Sequence, residues 1–249
     1  MIQISAASKL FHAGTANELL ALDNINLEIA ASEFLVIVGS NGSGKSTLLN
    51  AIAGDILLSE GEIIIDKINC TRLAAHQRSK FIARVFQNPL QGTASDLSIL
   101  DNFRLASIRS QIKGLHIGNN NFFHDKVYEK IKSLGMGLES KLQQPIGLLS
   151  GGQRQALTLL MAVMDQTKIL LLDEPTAALD PKSAALVMEK TKQLVEEFQL
   201  CAILITHEMK FAQAYGTRLI QMSQGKIIRD INQSQRKNLS TSDIYTWFA

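Results

Sequence analysis

The sequence predicts an α/β fold with a mixed central sheet, an antiparallel β subdomain beside it and an inserted α-helical subdomain. Three observations predict it. Short runs of Ile, Leu and Val alternate with stretches of helical spacing, as in "EFLVIVG" followed by "GKSTLLNAIAG". The front of the chain instead alternates polar and apolar residues, and the stretch from 92 to 165 holds amphipathic patterns without a convincing strand. With 249 residues, 46% of them hydrophobic, the chain is long enough to bury one large domain carrying a subdomain.

Taken in order, "MIQISAASKLF", "LLALDNINLEIA" and "GEIIIDK" have the period-2 pattern of an antiparallel sheet with one covered face. "EFLVIVG" (33–39), "KILLLDE" (168–174) and "CAILITH" (201–207) are continuous apolar runs, expected of parallel strands buried on both faces. "GKSTLLNAIAG" is a helix closed by Gly54, and "DPKSAALVMEKTKQLVEEF" is a helix opened by Asp180 and Pro181. "LDNFRLASIRSQIKGL" and "HDKVYEKIKSLGMG" are amphipathic helices of the inserted part, and "GNNNFF" (118–123) is the expected flexible loop between them. We therefore expect a single domain over 1–249. Its core with the antiparallel β part comprises 1–91 and 166–249, and the helical subdomain comprises 92–165.

Lys and Arg total 25 against 23 Asp and Glu, a net charge of +2, which gives no reason to expect nucleic acid as a partner. No apolar run approaches the roughly 18 residues of a spanning helix, and "MIQISAASKL" lacks the apolar core of a signal peptide, so a cytosolic chain is expected. Cys70 and Cys201 lie in loop and buried-strand contexts without metal-ligand spacing, and are expected to be unpaired thiols.

"GSNGSGKS" matches the phosphate-loop pattern G-x-x-x-x-G-K-[ST], and it lies after a strand and before a helix, where the mechanism requires it. Random composition yields this pattern in only about one chain in a hundred of this length. The core is thus expected to be a P-loop NTPase. Backbone N–H groups of Gly39, Ser40, Asn41, Gly42, Ser43 and Gly44 would wrap phosphates, Lys45 would reach the β and γ oxygens, and Ser46 would coordinate Mg²⁺. Asp173, ending "ILLLD", would complete the metal shell, and Glu174 beside it would be the general base. Pro175 is expected to hold Glu174 extended as the chain leaves the sheet. A second anion site follows from "LLSGGQ", where Ser-Gly-Gly bares the first N–H groups of another helix.

Together "GSNGSGKST", "FQN", "LLSGGQ", "LLLDEPTAALD" and "LITHE", in this order over nearly the whole chain, resemble the nucleotide-binding subunit of an ATP-binding cassette (ABC) transporter. The resemblance explains why there are two phosphate sites. It implies a homodimer formed around ATP, in which each nucleotide lies between Gly39 to Thr47 of one copy and Leu149, Ser150, Gly151, Gly152 and Gln153 of the other. It further implies that Gln87 touches Mg²⁺ or the water, that His207 holds the γ-phosphate and that Asp180 crosses to the opposite site. Phe11 would stack on adenine, with Phe34 assigned to the core. "GTANE", "VFQNPLQGTASDLSI" and "PIGLLSGGQRQALTLLMA" are similar to ATPases of bacterial importers that work with a separate solute-binding protein, among them some assigned to aromatic amino acids.

Such a subunit is expected to sit peripherally on the cytoplasmic side of the membrane, bound to an integral permease subunit. The segment after Gln87 would form a groove for a helix of that partner, with Leu90, Leu97, Ile99 and Leu100 as candidate lining residues and Asp96 or Asp101 as the cap of the following helix. For Ile99 and Leu100 a core face is an equal alternative. The chain departs from the family in keeping only Arg154 along the helix after "LSGGQ", and in having "AALD" for the commoner Ser-Ala-Leu-Asp, which loses a hydroxyl at Ala177 or Ala178. A soluble ABC ATPase of iron–sulfur cluster assembly is the alternative function. A DNA-maintenance ATPase is disfavoured because no heptad run interrupts residues 87–149.

Overall fold

The structure, a computed structural model, describes residues 1–108 and 120–247. In chain order the strands are β1 (Ile2–Phe11), β2 (Leu19–Ile29), β3 (Phe34–Val38), β4 (Glu60–Ile65), β5 (Ile68–Asn69), β6 (Ile82–Val85), β7 (Ile169–Asp173), β8 (Cys201–Ile205), β9 (Arg218–Ser223) and β10 (Lys226–Ile231). The helices are α1 (Lys45–Ala53), α2 (Ala75–Arg78), α3 (Ile99–Ser107), α4 (Asn121–Lys132), α5 (Gly151–Ala162), α6 (Pro181–Glu197), α7 (Met209–Ala214), α8 (Gln233–Arg236) and α9 (Thr241–Thr246). Two sheets result: an antiparallel one ordered β2-β1-β4-β5, and a six-stranded one ordered β10-β9-β3-β8-β7-β6. The second is mixed because β10 runs antiparallel to β9, while the other pairs are parallel.

The apolar runs are continuous because both faces of the central strands are covered. Leu35, Ile37, Leu171 and Ile203 pack with Leu48 and Ile52 of α1 and with Ile4 and Leu27 of the antiparallel sheet. Their neighbours Val36, Val38, Leu172 and Leu204 face the other way, against Phe103, Val127, Leu157 and Val187 of the helices. Between 92 and 165 the described residues form α3, α4 and α5 and no strand, apart from one isolated bridge between Ser98 and Pro145.

Register determines what the sheet assembles. Ile37 pairs with Ile205, Ile205 with Asp173, and Leu172 with Val85, so β3, β8, β7 and β6 end together at one edge. In open parallel sheets, ligands bind beyond this carboxyl edge.

Two expectations about the helical part need correction. The cap of α3 is neither Asp96 nor Asp101 but Ser98, whose Oγ accepts from the Asp101 N–H at 3.0 Å and donates to Asp101 Oδ2 at 2.6 Å. The carboxylate in the first turn supports the cap instead of being it. Residues 121–123 of the expected loop are helical: Asn120 caps α4 by accepting from the Phe123 N–H, and Phe123, Val127 and Ile131 form its buried stripe. Asparagines that resemble a loop in sequence are here an N-cap. Residues 118 and 119 of that loop, and 109–115 of the helix expected before it, lie outside the described residues.

Both cysteines are buried and unpaired, and burial pushes the Cys201 thiol up to about 12. Cys70 instead lends its carbonyl to Arg78, a fully buried residue that sequence reasoning did not single out. The guanidinium donates to Ala51 O at 2.7 Å and Ile52 O at 2.8 Å, carbonyls at the open end of α1, and its Nε donates to Leu73 O at 2.8 Å. Arg78→Met keeps much of the side-chain volume but strips these carbonyls of a charged donor. We expect a loss of about 3 kcal/mol in unfolding free energy, measured by urea denaturation, with the fold retained.

Candidate nucleotide site

The loop between β3 and α1 is shaped by its glycines. Gly44 is the N-cap of α1 at φ 101°, and a Cβ there would lie 2.5 Å from Ala21 O, so only glycine fits. It offers no capping side chain, which leaves the first N–H groups of α1 without a side-chain acceptor and suited to an anion. Lys45 is only 5% exposed and donates from Nζ to Gly39 O at 2.8 Å and Ser40 O at 2.9 Å. Burial holds its ammonium below the usual lysine range, and the charges of Glu174 and Asp173 oppose that shift.

Asp173 ends β7 beside this loop. Its Oδ1 lies 3.5 Å from Ser46 Oγ, and its Oδ2 is ion-paired to Arg84 at 2.6 Å. The carboxylate and hydroxyl are hard oxygen donors, the kind that magnesium takes. Glu174 is not extended as expected. Its φ is 47°, in the left-handed region that a residue before proline ordinarily avoids. Its N–H extends the sheet by donating to Ile205 O at 3.0 Å, while its carboxylate meets His207 across the strand ends, Oε1 to Nε2 2.7 Å. Tertiary pairing at both ends of the residue overrides the local preference. A carboxylate so placed, 18% exposed at the edge of the sheet, can accept a proton from water.

The second expected phosphate site begins α5. Ser150 is the N-cap, and the Ser-Gly-Gly-Gln stretch is a capping box: Ser150 Oγ accepts from the Gln153 N–H at 3.3 Å, and Gln153 Oε1 accepts from the Ser150 N–H at 3.2 Å. Gly152 is needed for close approach, since a Cβ there would lie 2.6 Å from Ser183 Cβ on α6. Leu149 is buried, whereas Ser150 and Gly151 are exposed. Asp180 caps α6 by accepting from the N–H groups of Lys182 and Ser183, both at 3.1 Å, and the Ser183 hydrogen bonds hold its carboxyl below the usual range.

The remaining candidates are less closely gathered. Gln87 is exposed just beyond β6, and among the described residues no hydrogen bond joins it to Ser46 or Asp173. Phe11 ends β1 half-buried with Lys9 Nζ 5.1 Å from its ring centre, while Phe34 is in the core. Three further residues brace the site and were not singled out as site residues from the sequence. Arg84 holds Asp173. Gln155 Nε2 donates to Phe86 O at 3.0 Å, tying α5 to the residue before Gln87. Arg154 donates to Gly147 O at 2.7 Å and Leu149 O at 3.2 Å, bracing the turn that leads into "LSGGQ". The only available signal for Arg84 was a lone charge inside a strand run, which periodicity alone assigns to solvent.

A family profile described as "ABC transporter" matches residues 22–177. The chain belongs to the ABC transporter ATP-binding family. This cassette is 37% identical over 252 residues to a tyrosine transport ATP-binding protein of Clostridioides difficile, covering 100% of this chain and 98% of that one. It is 31% identical to a phosphonates import ATP-binding protein, PhnC, of Lactobacillus johnsonii, covering 98% and 95%. Among solved structures it matches the ATP-binding cassette MJ0796, a dimer in a post-hydrolysis state with ADP and Pi, with TM-score 0.80 and 30% identity over 94% of this chain and 99% of that one. As an ABC cassette the chain is an ATPase with a P-loop NTPase fold. Among the described residues no helix is long and apolar enough to cross a membrane.

Proposed function

We propose that the chain is the ATP-hydrolysing subunit of an importer, forming a homodimer around two Mg-ATP and driving solute uptake through a separate integral membrane subunit, with a solute-binding protein delivering the solute. The observation that carries this reading is the pair of glycine-bearing helix starts, α1 and α5, with no hydrogen bond between residues 39–47 and residues 149–153 among the described residues. Each nucleotide would then be completed by a second copy, with Ser150, the Gly151 and Gly152 backbone, Leu149, Gln153 and Asp180 acting across the interface. Names of relatives favour import over iron–sulfur assembly, since they read tyrosine transport and phosphonates import.

In this reading Lys45 and the α1 N–H groups hold the β- and γ-phosphates, Glu174 takes the proton of the attacking water, and His207 orients both Glu174 and the γ-phosphate. Ser46 and Asp173, with Gln87, would hold Mg²⁺, which when bound neutralises charge on the phosphate oxygens. Phe11 is the proposed adenine platform. The helical part, which we take as 92–165, would receive the membrane subunit from the cytoplasmic side.

That docking is testable. Leu90, Leu97 and Leu105 are 46%, 41% and 49% exposed, and Leu105 lines a groove of about 330 Å³ together with Gln91, Thr93, Asn102 and Thr158. Ile99 and Leu100, at 0% and 5%, are core and drop out as docking candidates. Leu97→Arg should leave ATP hydrolysis and the melting temperature near wild type while abolishing co-purification with a spanning subunit from detergent-solubilised membranes, because a charge would be forced into an apolar contact. Retained assembly would place docking elsewhere, and a soluble scaffold co-purifying with wild type would favour the alternative function.

A further inference from the structure

Asp173 is held from behind by a side chain that the proposed reaction does not use. Arg84 lies on β6 two residues after Ile82, so alternation puts it on the α1 side of the sheet. Its Nη2 donates to Asp173 Oδ2 at 2.6 Å, and its Nη1 donates to Asp55 Oδ2 at 2.6 Å, just beyond Gly54 at the end of α1. The guanidinium also lies 4.7 Å from the centre of the Phe86 ring. Its side chain is 14% exposed, and its Nε is buried without a hydrogen-bond partner among the described residues. A buried orphan donor is costly, so the geometry serves the two carboxylates at the expense of the arginine's own satisfaction.

We propose that Arg84 is a positioning residue for the metal-side carboxylate: it occupies Asp173 Oδ2 and leaves a single oxygen, Oδ1, facing Ser46. This rests on the reading of Asp173 as a Mg²⁺ ligand. Magnesium demands near-octahedral geometry with monodentate oxygens, whereas calcium accepts bidentate carboxylates and higher coordination. A carboxylate with one oxygen tied down therefore discriminates against the larger ion. Charge alone predicts something different. Removing a cation from beside the site would tighten Mg²⁺ and Ca²⁺ alike, so the ratio of their affinities isolates positioning from electrostatics.

The experiment measures binding of a fluorescent ATP analogue to the full chain as Mg²⁺ or Ca²⁺ is titrated. Arg84→Met should lower the Mg²⁺-over-Ca²⁺ preference about tenfold, in the range for outer-shell partners of metal ligands. Arg84→Lys should not restore it, because an ammonium lacks the fork that spans both carboxylates. An unchanged ratio in Arg84→Met, or full rescue by lysine, overturns the proposal. Asp173→Asn is the control. If it leaves both divalent affinities intact, the metal reading itself fails, and if it lowers them while Arg84→Met does nothing, only the role of Arg84 falls. Should Arg84→Met not fold, Asp55→Asn, at a site 41% exposed, removes one anchor and should shift the ratio in the same direction, an unchanged ratio again overturning the proposal.

Discussion

Glu174→Gln should bind ATP, lose about a thousandfold in turnover and accumulate as a dimer when ATP is added. The substitution is nearly isosteric, and the amide keeps a polar partner for His207 Nε2, which lies 2.7 Å from the carboxylate. What disappears is the proton acceptor. The unusual backbone, φ 47°, is held by the Glu174 N–H bond to Ile205 O and by the side chain's contact with His207, and glutamine keeps both. Folding should therefore be unaffected while the water loses its base, so the γ-phosphate stays in place and continues to hold two copies together. Light scattering with and without ATP reads the assembly, and phosphate release reads the chemistry. A variant that hydrolyses ATP at the wild-type rate removes Glu174 from the role of base.

Lys45→Ala has a comparable effect by another route, with turnover reduced by about three orders of magnitude and ATP binding weakened as well. Lys45 is the one side-chain cation among residues 39–47, and it is nine-tenths buried or more, in a setting where burial depresses the ammonium pKa. Its Nζ also braces the loop through Gly39 O and Ser40 O. The two variants separate in binding: Glu174→Gln retains nucleotide and gains a dimer, while Lys45→Ala should show weak nucleotide binding and no ATP-driven dimer. Equilibrium binding of a fluorescent nucleotide distinguishes them, and normal turnover in Lys45→Ala would contradict the phosphate-loop assignment.

Much of this was legible in the chain because it is local. The phosphate loop needs glycine where Gly44 adopts φ 101°, and a lysine and a hydroxyl at fixed offsets, so the pattern is written in eight consecutive residues. The "LSGGQ" stretch is legible for the same reason, since Ser150 and Gln153 close a capping box within one helical turn. Strands β3, β7 and β8 were readable because burial on both faces demands unbroken apolar runs. The hairpin of β9 and β10 went unrecognised. Its outer strand is largely exposed and carries Arg229 and Asp230 among its isoleucines, so no single-face pattern stands out.

The sequence by itself therefore determined the fold class, the phosphate loop, the acidic pair Asp173–Glu174 and the membership of a family, all properties of short windows or of their order. Only the tertiary structure decided which groups meet. Sheet register aligns the ends of β3, β8, β7 and β6, and this brings Glu174 to His207, 33 residues later in the chain, and Arg84 to Asp173, 89 residues away. Local preference even pointed the wrong way at Glu174, where a residue before proline should be extended but is turned left-handed by its strand partner and its histidine. The physical reason is range: propensity acts over neighbours, whereas a hydrogen bond or ion pair across the end of a sheet depends on two segments whose separation along the chain carries no signal in either.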